Sequence, residues 1–160
     1  TMGGKWKNIS VITLTLGSLT SLMILIGAIQ SVVTPMPPRF ISNKELEAIR
    51  IIQSPEFNDA HVLASFDESN RLAAWVPVFL LTGLGPESTN LSVISPKIDR
   101  FFQNRMSDNE EIEFLDEFGI DLVFYGPEER KLGTWDGSSR ANLIRILNNA
   151  DFEIYSVNRE

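Results

Sequence analysis

The sequence predicts an α/β domain carried behind one membrane-spanning helix, and three observations lead there. No residue from Asn8 to Pro38 is charged. Beyond it, short runs rich in β-branched and aromatic residues recur at 61–66, 78–82, 120–125 and 152–157. Between these runs lie segments with helical apolar spacing and helix-capping signals. Strands alternating with helices imply three layers: a mostly parallel sheet of about four strands, joined by right-handed crossovers, with helices on both faces. The division falls at 1–38 for the membrane helix and its proline-rich exit, and 39–160 for the domain.

The hydrophobic segment Ile9–Val33 is long enough to cross a hydrocarbon core of about 30 Å as a helix. Its polar members are Ser, Thr, Gly and a single Gln, which a membrane helix accommodates by bonding hydroxyls back to its own carbonyls. Gly17 and Ser21 form a small-xxx-small pair suited to close approach of another helix. A cleaved signal peptide is the competing reading, with Lys5 and Lys7 as its basic start. Its apolar core runs only about 7–15 residues, and the stretch Gly27–Ser31 is a poor cleavage site. Lys5 and Lys7 crowd one end, so the positive-inside rule favours a cytoplasmic N-terminus and an exported bulk at the plasma membrane. Thr1 stands ahead of Met2, which reads as a tag remnant or as the start of a piece of a longer chain.

The elements of the domain follow in order. Thr34–Pro38 ends the first helix, because proline lacks an amide proton and disfavours helix before it. Ser42 to Glu45 fits a capping box, and Leu46, Ile49 and Ile52 mark an apolar face to about Gln53. His61–Phe66 is a strand, Ser69–Trp75 a helix that stops before Pro77, and Val78–Thr82 a strand apolar enough for burial on both faces. Ser95-Pro96 opens a helix with Ile98, Phe101, Phe102 and Met106 inward. A second capping box, Ser107 to Glu110, starts a helix carrying Ile112, Leu115 and Phe118 and stopping at Gly119. Ile120–Tyr125 is the strongest strand in the chain. Ser139–Asn149 reads as a helix with Leu143, Ile144 and Leu147 inward, and Phe152–Val157 alternates as a last strand.

Composition removes several classes of function. Lys5, Lys7 and Arg39 are the only charges in residues 1–40, so residues 41–160 hold 11 basic against 21 acidic residues, a net charge of −10. Such a domain repels a phosphate backbone, and nucleic acid is not an expected partner. With no cysteine there is neither a disulfide framework nor a thiolate site, and one histidine, His61, leaves no multi-histidine metal site.

Ligands in open α/β sheets gather beyond the carboxyl ends of the strands. Those ends are Asp67-Glu68 with Arg71, then Gly83–Ser88, then Tyr125–Arg130. Gly83-Leu84-Gly85 resembles a phosphate cradle, but it lacks a third glycine, Pro86 removes a donor and Glu87 repels an anion; a tight turn fits better. Asp67/Glu68 and Glu128/Glu129 are adjacent carboxylates of the kind used in acid–base or divalent-ion chemistry, or else solvated caps. The acidic run 108–113 lacks a calcium-loop pattern and suits a helix start through the macrodipole. Ser88, Ser138 and Ser139 stand in no nucleophile context. Asn90-Leu91-Ser92 is a glycosylation sequon of meaning only in a eukaryotic secretory setting. Trp75 and Trp135 read as core or interface anchors.

Taken in order, NRLAAWVPVFLLTGLGPES, KIDRFF, EFLDEFGIDLVFYGPEER and FEIYSV after an apolar helix resemble the exported C-terminal region of bacterial GT-C-type glycosyltransferases. The resemblance is to the dolichyl-phosphate-mannose mannosyltransferase/aminoarabinose-transferase-like group. Phe118–Arg130 follows that group's "YGVDYVxxGxxER"-like run, whereas Leu84 stands where its members often carry a histidine. The resemblance implies transfer of a sugar from a polyprenyl-phosphate donor, with a divalent metal in some members. It also implies catalytic carboxylates in early loops that have no counterpart here, so no catalytic residue, metal ligand or cofactor is expected in this chain. The implied partners are the lipid bilayer and other transmembrane helices of a parent protein. Arg71, Glu87, Tyr125, Glu129 and Arg130 are the expected loop or ligand contacts, or alternatively an Arg–Glu network that holds the loops. A second reading is an independent single-pass protein whose α/β domain binds a small ligand or a protein.

Overall fold

The computed structural model describes residues 3–33, 41–83 and 91–159. The chain divides into two compact units, Thr1–Ile41 and Ser42–Glu160. The expected proline-rich exit at 34–38 and the turn at 84–88 lie outside the described residues, and so does Glu87.

Helix α1 spans Gly3–Val33. Within it Thr13–Val33, 21 residues of mean hydropathy 1.9, is long and apolar enough to cross a membrane and has no buried residue. Several of its hydroxyls bond back to the helix's own carbonyls. Ser18 donates to the Leu14 carbonyl at 2.9 Å, Thr20 to Leu16 at 2.9 Å and Ser21 to Gly17 at 3.0 Å. Such back-bonding is how a polar side chain tolerates lipid.

The second unit is an α/β domain, as the sequence predicts. Helix α2 (Asn43–Ile52) starts where expected: Ser42 accepts the Glu45 N–H at 3.0 Å, and Ala48, Ile49 and Ile52 are buried. Strand β1 is His61–Leu63, shorter than read from sequence, because Ser65 caps a helix, α3, over Phe66–Leu72 rather than 69–75. Strand β2 is only Phe79–Leu80. It lies at the sheet edge with Phe79 56% exposed, so its apolar run does not mark a strand buried on both faces. Helix α4 (Leu91–Phe102) takes in Pro96 instead of starting there. Helix α5 (Asp108–Glu117) has the expected capping box and ends at Gly119, whose φ of 60° suits glycine. Strand β3 (Leu122–Tyr125) is buried throughout, and a short helix α6 (Pro127–Leu132) occupies what reads as a loop.

The largest correction concerns 139–149, which is not a helix. A 3₁₀ turn at Gly137–Ser139 leads into strand β4, Leu143–Asn148, which pairs antiparallel with β5, Glu153–Val157. The register slips between Arg145 and Leu147, so Ile146 is a bulge. That extra residue breaks the period of two and leaves Leu143, Ile144 and Leu147 at a helix-like spacing. The gained strand also changes the sheet. It has five strands in the order β2-β1-β3-β5-β4. Parallel pairing is confined to β2-β1-β3, while β3-β5 and β5-β4 are antiparallel.

Side-chain alternation divides the core into two layers. Leu63, Val123, Tyr125 and Tyr155 face the layer built from Ile98, Phe101 and Phe102 of α4, Phe114 and Leu115 of α5, and Trp135. Val62, Leu122, Phe124 and Ile154 point the other way and are fully buried, as are Ala48, Ile49 and Ile52 of α2 and Leu72 of α3. The expected three layers are therefore present.

Candidate functional site

The carboxyl ends of β1, β2 and β3 lie side by side, and each is followed by a polar segment. β1 leads into Ser65 and α3, β2 into Thr82-Gly83, and β3 into Gly126 and α6. The carboxylate of Glu129, fully buried, bridges two of these ends. Oε1 accepts the Ser65 N–H at 2.7 Å, and Oε2 accepts the Gly126 N–H at 2.8 Å. The second bond is half of a capping box; Gly126 has no side chain to supply the other half.

Two doublets of adjacent acids stand out in sequence, and in each the two members diverge. Neighbouring helical residues point about 100° apart. Asp67 is exposed and Glu68 fully buried, while Glu128 pairs with Lys131 at 2.6 Å and Glu129 faces inward. What meets across α3 and α6 is one acid from each doublet, Glu68 and Glu129. Burial, then the charge of Glu129, pushes the Glu68 carboxyl up to about 8 against the pull of Arg71. Burial also raises Glu129, and its hydrogen bonds oppose that rise.

Arg71 donates to Glu68 Oε2 at 3.0 Å and to Glu45 Oε1, joining α3 to the first turn of α2. Ser69 and Thr82, both buried, approach at 3.5 Å between α3 and the end of β2. Tyr125 and Arg130 make a second group on the same edge. The guanidinium lies 5.1 Å from the Tyr125 ring centroid, donates to Glu153 Oε1 at 3.2 Å and also donates to the Asp151 carbonyl. Tyr155 donates to the other oxygen of Glu153, and Arg145 stands 3.7 Å from it. Burial raises the Tyr125 hydroxyl above the ordinary phenol range, and burial with the Glu153 hydrogen bond does the same for Tyr155.

Of the residues singled out in sequence, Arg71 and Glu129 thus flank the buried Glu68, and Tyr125 and Arg130 form the neighbouring pair. Glu68 itself was named as half of an adjacent doublet, and Glu45 and Glu153 complete these groups. Glu45 carried a usable signal, since it stands three residues after a serine that caps its helix. Glu153, on a strand far along the chain, carried none. Among the described residues no group of three or more His, Asp or Glu is placed to hold a metal ion.

At the opposite, amino edge, His61, Phe79, Leu80, Leu81, Phe118 and Ile120 line an open groove of about 160 Å³. His61 lies edge-on to Phe79, with centroids 5.2 Å apart.

The class is thus an α/β domain of mixed sheet, following a helix apolar enough to span a membrane. Neither a protein-family model nor a curated protein matches the sequence. Among solved structures the chain is similar to the C-terminal globular domain of an oligosaccharyltransferase from Archaeoglobus fulgidus. The TM-score is 0.54 at 11% identity, and the match covers 74% of this chain and 99% of that one. At this identity the likeness is one of fold.

Proposed function

We propose that residues 39–160 are a non-catalytic accessory domain of a GT-C-like glycosyltransferase, one that takes its sugar from a polyprenyl-phosphate donor. In this reading α1 is the last membrane helix of the enzyme and the domain lies outside the cytoplasm. It caps the membrane core and assists acceptor binding through its carboxyl edge. The observation that carries the reading is the fold match to the C-terminal domain of an oligosaccharyltransferase, which takes in nearly the whole of that domain. The helix over Thr13–Val33 and the order of sequence motifs give it further support.

The first test is the size of the endogenous protein in native membranes, detected with antibody against residues 41–160. A band several-fold above 18.0 kDa supports an enzyme whose chemistry lies upstream. A membrane-bound band near 18.0 kDa instead makes this a single-pass anchored domain that binds a ligand or partner on its own. Given the larger protein, Arg130→Ala and Glu87→Ala test the loops. Loss of transfer with expression retained supports acceptor contact; wild-type transfer for both removes it.

A further inference from the structure

Three acids are buried near the carboxyl edge, and two of them share one cation. Glu68 and Glu129 are 0% exposed and Glu45 4%, and Arg71 bonds to Glu45 and Glu68. Both oxygens of Glu129 are taken by backbone N–H groups. Glu68 gives Oε2 to Arg71, while its Oε1 is buried and, among the described residues, has no hydrogen-bond donor. A bare ionised oxygen in the interior carries a heavy desolvation penalty, and a protein commonly avoids this by taking up a proton. The surplus of acids over Arg71 acts in the same direction, and of the two fully buried acids among the described residues Glu68 is the one with an oxygen that lacks a donor there.

We propose that Glu68 is a proton-operated latch: protonated, it closes the seam that α3 makes with α2 and α6, and on losing its proton it loosens that seam. Among the described residues the charged groups that act on it are Glu45 from α2, Arg71 from its own helix, and Glu129 and, more weakly, Glu128 from α6. Ser65 and Thr82, after the ends of β1 and β2, and Ser69 on α3 carry no charge.

The direction with pH follows from linkage. Glu68 rises from an ordinary 4.5 to about 8 in the fold, so between these values the folded chain keeps a proton that the unfolded chain has released. The stability due to this proton is complete below about 4.5, declines as pH rises, and is gone above about 8. The inference is independent of the glycosyltransferase reading.

The test uses the full chain in detergent micelles. Infrared spectroscopy of the wild type should show a protonated carboxyl stretch at neutral pH that disappears near pH 8 and is missing from Glu68→Gln. Hydrogen exchange of α3 amides, corrected for intrinsic rates, should report an opening constant that grows by up to about tenfold per pH unit between about pH 5 and pH 8. Glu68→Gln cannot ionise and should flatten that dependence. A wild type without the neutral-pH band, a band that survives in Glu68→Gln, or identical exchange profiles would each overturn the latch. Should Glu68→Gln fail to fold, the wild-type band and its titration still decide: a midpoint near 4.5 removes the proposal.

Discussion

The two halves of the sheet handle charge in opposite ways. In the β2-β1-β3 half the loops at the carboxyl edge are tied by buried carboxylates, with Glu129 joining β1 to β3 and Glu68 and Glu45 sharing Arg71. In the β5-β4 half the ion pairs are partly solvated: Arg145 and Glu153 are 44% and 20% exposed, and Ile144 on β4 is 54% exposed. The difference follows from connection. Parallel strands are joined by crossovers and leave backbone N–H groups at their ends without ladder partners, so something buried must accept them. An antiparallel hairpin closes its own ladder and can leave one face in water. The parallel half should therefore be brittle to polar changes, and the antiparallel half tolerant even of apolar ones.

Glu129→Ala attacks the brittle half most directly. It leaves the Ser65 and Gly126 N–H groups buried without an acceptor and empties the space of a fully buried side chain. The expected loss is about 3–5 kcal/mol, read as a lower urea midpoint of the full chain in detergent. A loss under about 1 kcal/mol would mean that water replaces the carboxylate, and the contrast between the halves would fail. Gly133→Ala tests close approach in the same region. Its φ of −179° is open to any residue. An added Cβ, however, would stand 2.5 Å from Gln103 Cα and 2.6 Å from the Phe102 carbonyl oxygen, where only backbone can yield. A cost of about 1–3 kcal/mol is expected, with the near-ultraviolet signal of the Trp135 cluster perturbed as well.

The same contrast explains which parts were legible in the sequence. Helices α2 and α5 announced themselves because Ser42 and Ser107 cap them and apolar residues repeat along one face. β3 was legible because all four of its residues are buried and apolar or aromatic. β4 was not, since its bulge at Ile146 and its half-exposed position removed the alternation that marks a strand. With β4 hidden, the antiparallel half of the sheet was hidden too. At the site, the sequence located the carboxyl edge and named Arg71, Tyr125, Glu129 and Arg130, but it paired acids by adjacency. Pairing in space depends on helix phase, and phase sent Asp67 outward and Glu68 inward.

Two smaller effects refine the comparison. Ser107→Ala removes the hydroxyl that accepts the Glu110 N–H at 3.4 Å and donates to its carboxylate at 2.9 Å. About 1 kcal/mol should be lost, the usual worth of an N-cap, and Glu110 should titrate closer to its ordinary value. Its carboxyl is held low chiefly by the backbone and side-chain hydrogen bonds from Ser107.

The smallest change expected is for Ile144→Thr in the tolerant half. Ile144 pairs with Ser156 in an edge strand and is 54% exposed, so little apolar area returns to water. Threonine keeps the β-branch that suits a pleated surface. Stability should therefore stay within about 0.5 kcal/mol of wild type in the same urea measurement. A loss near 2 kcal/mol would mean that this face of β4 is covered in solution, most simply by a second copy of the chain. Sedimentation of wild type and variant side by side separates the two cases: covering by a copy predicts a dimer that Ile144→Thr dissociates, whereas a hairpin with one face in water predicts the same mass for both.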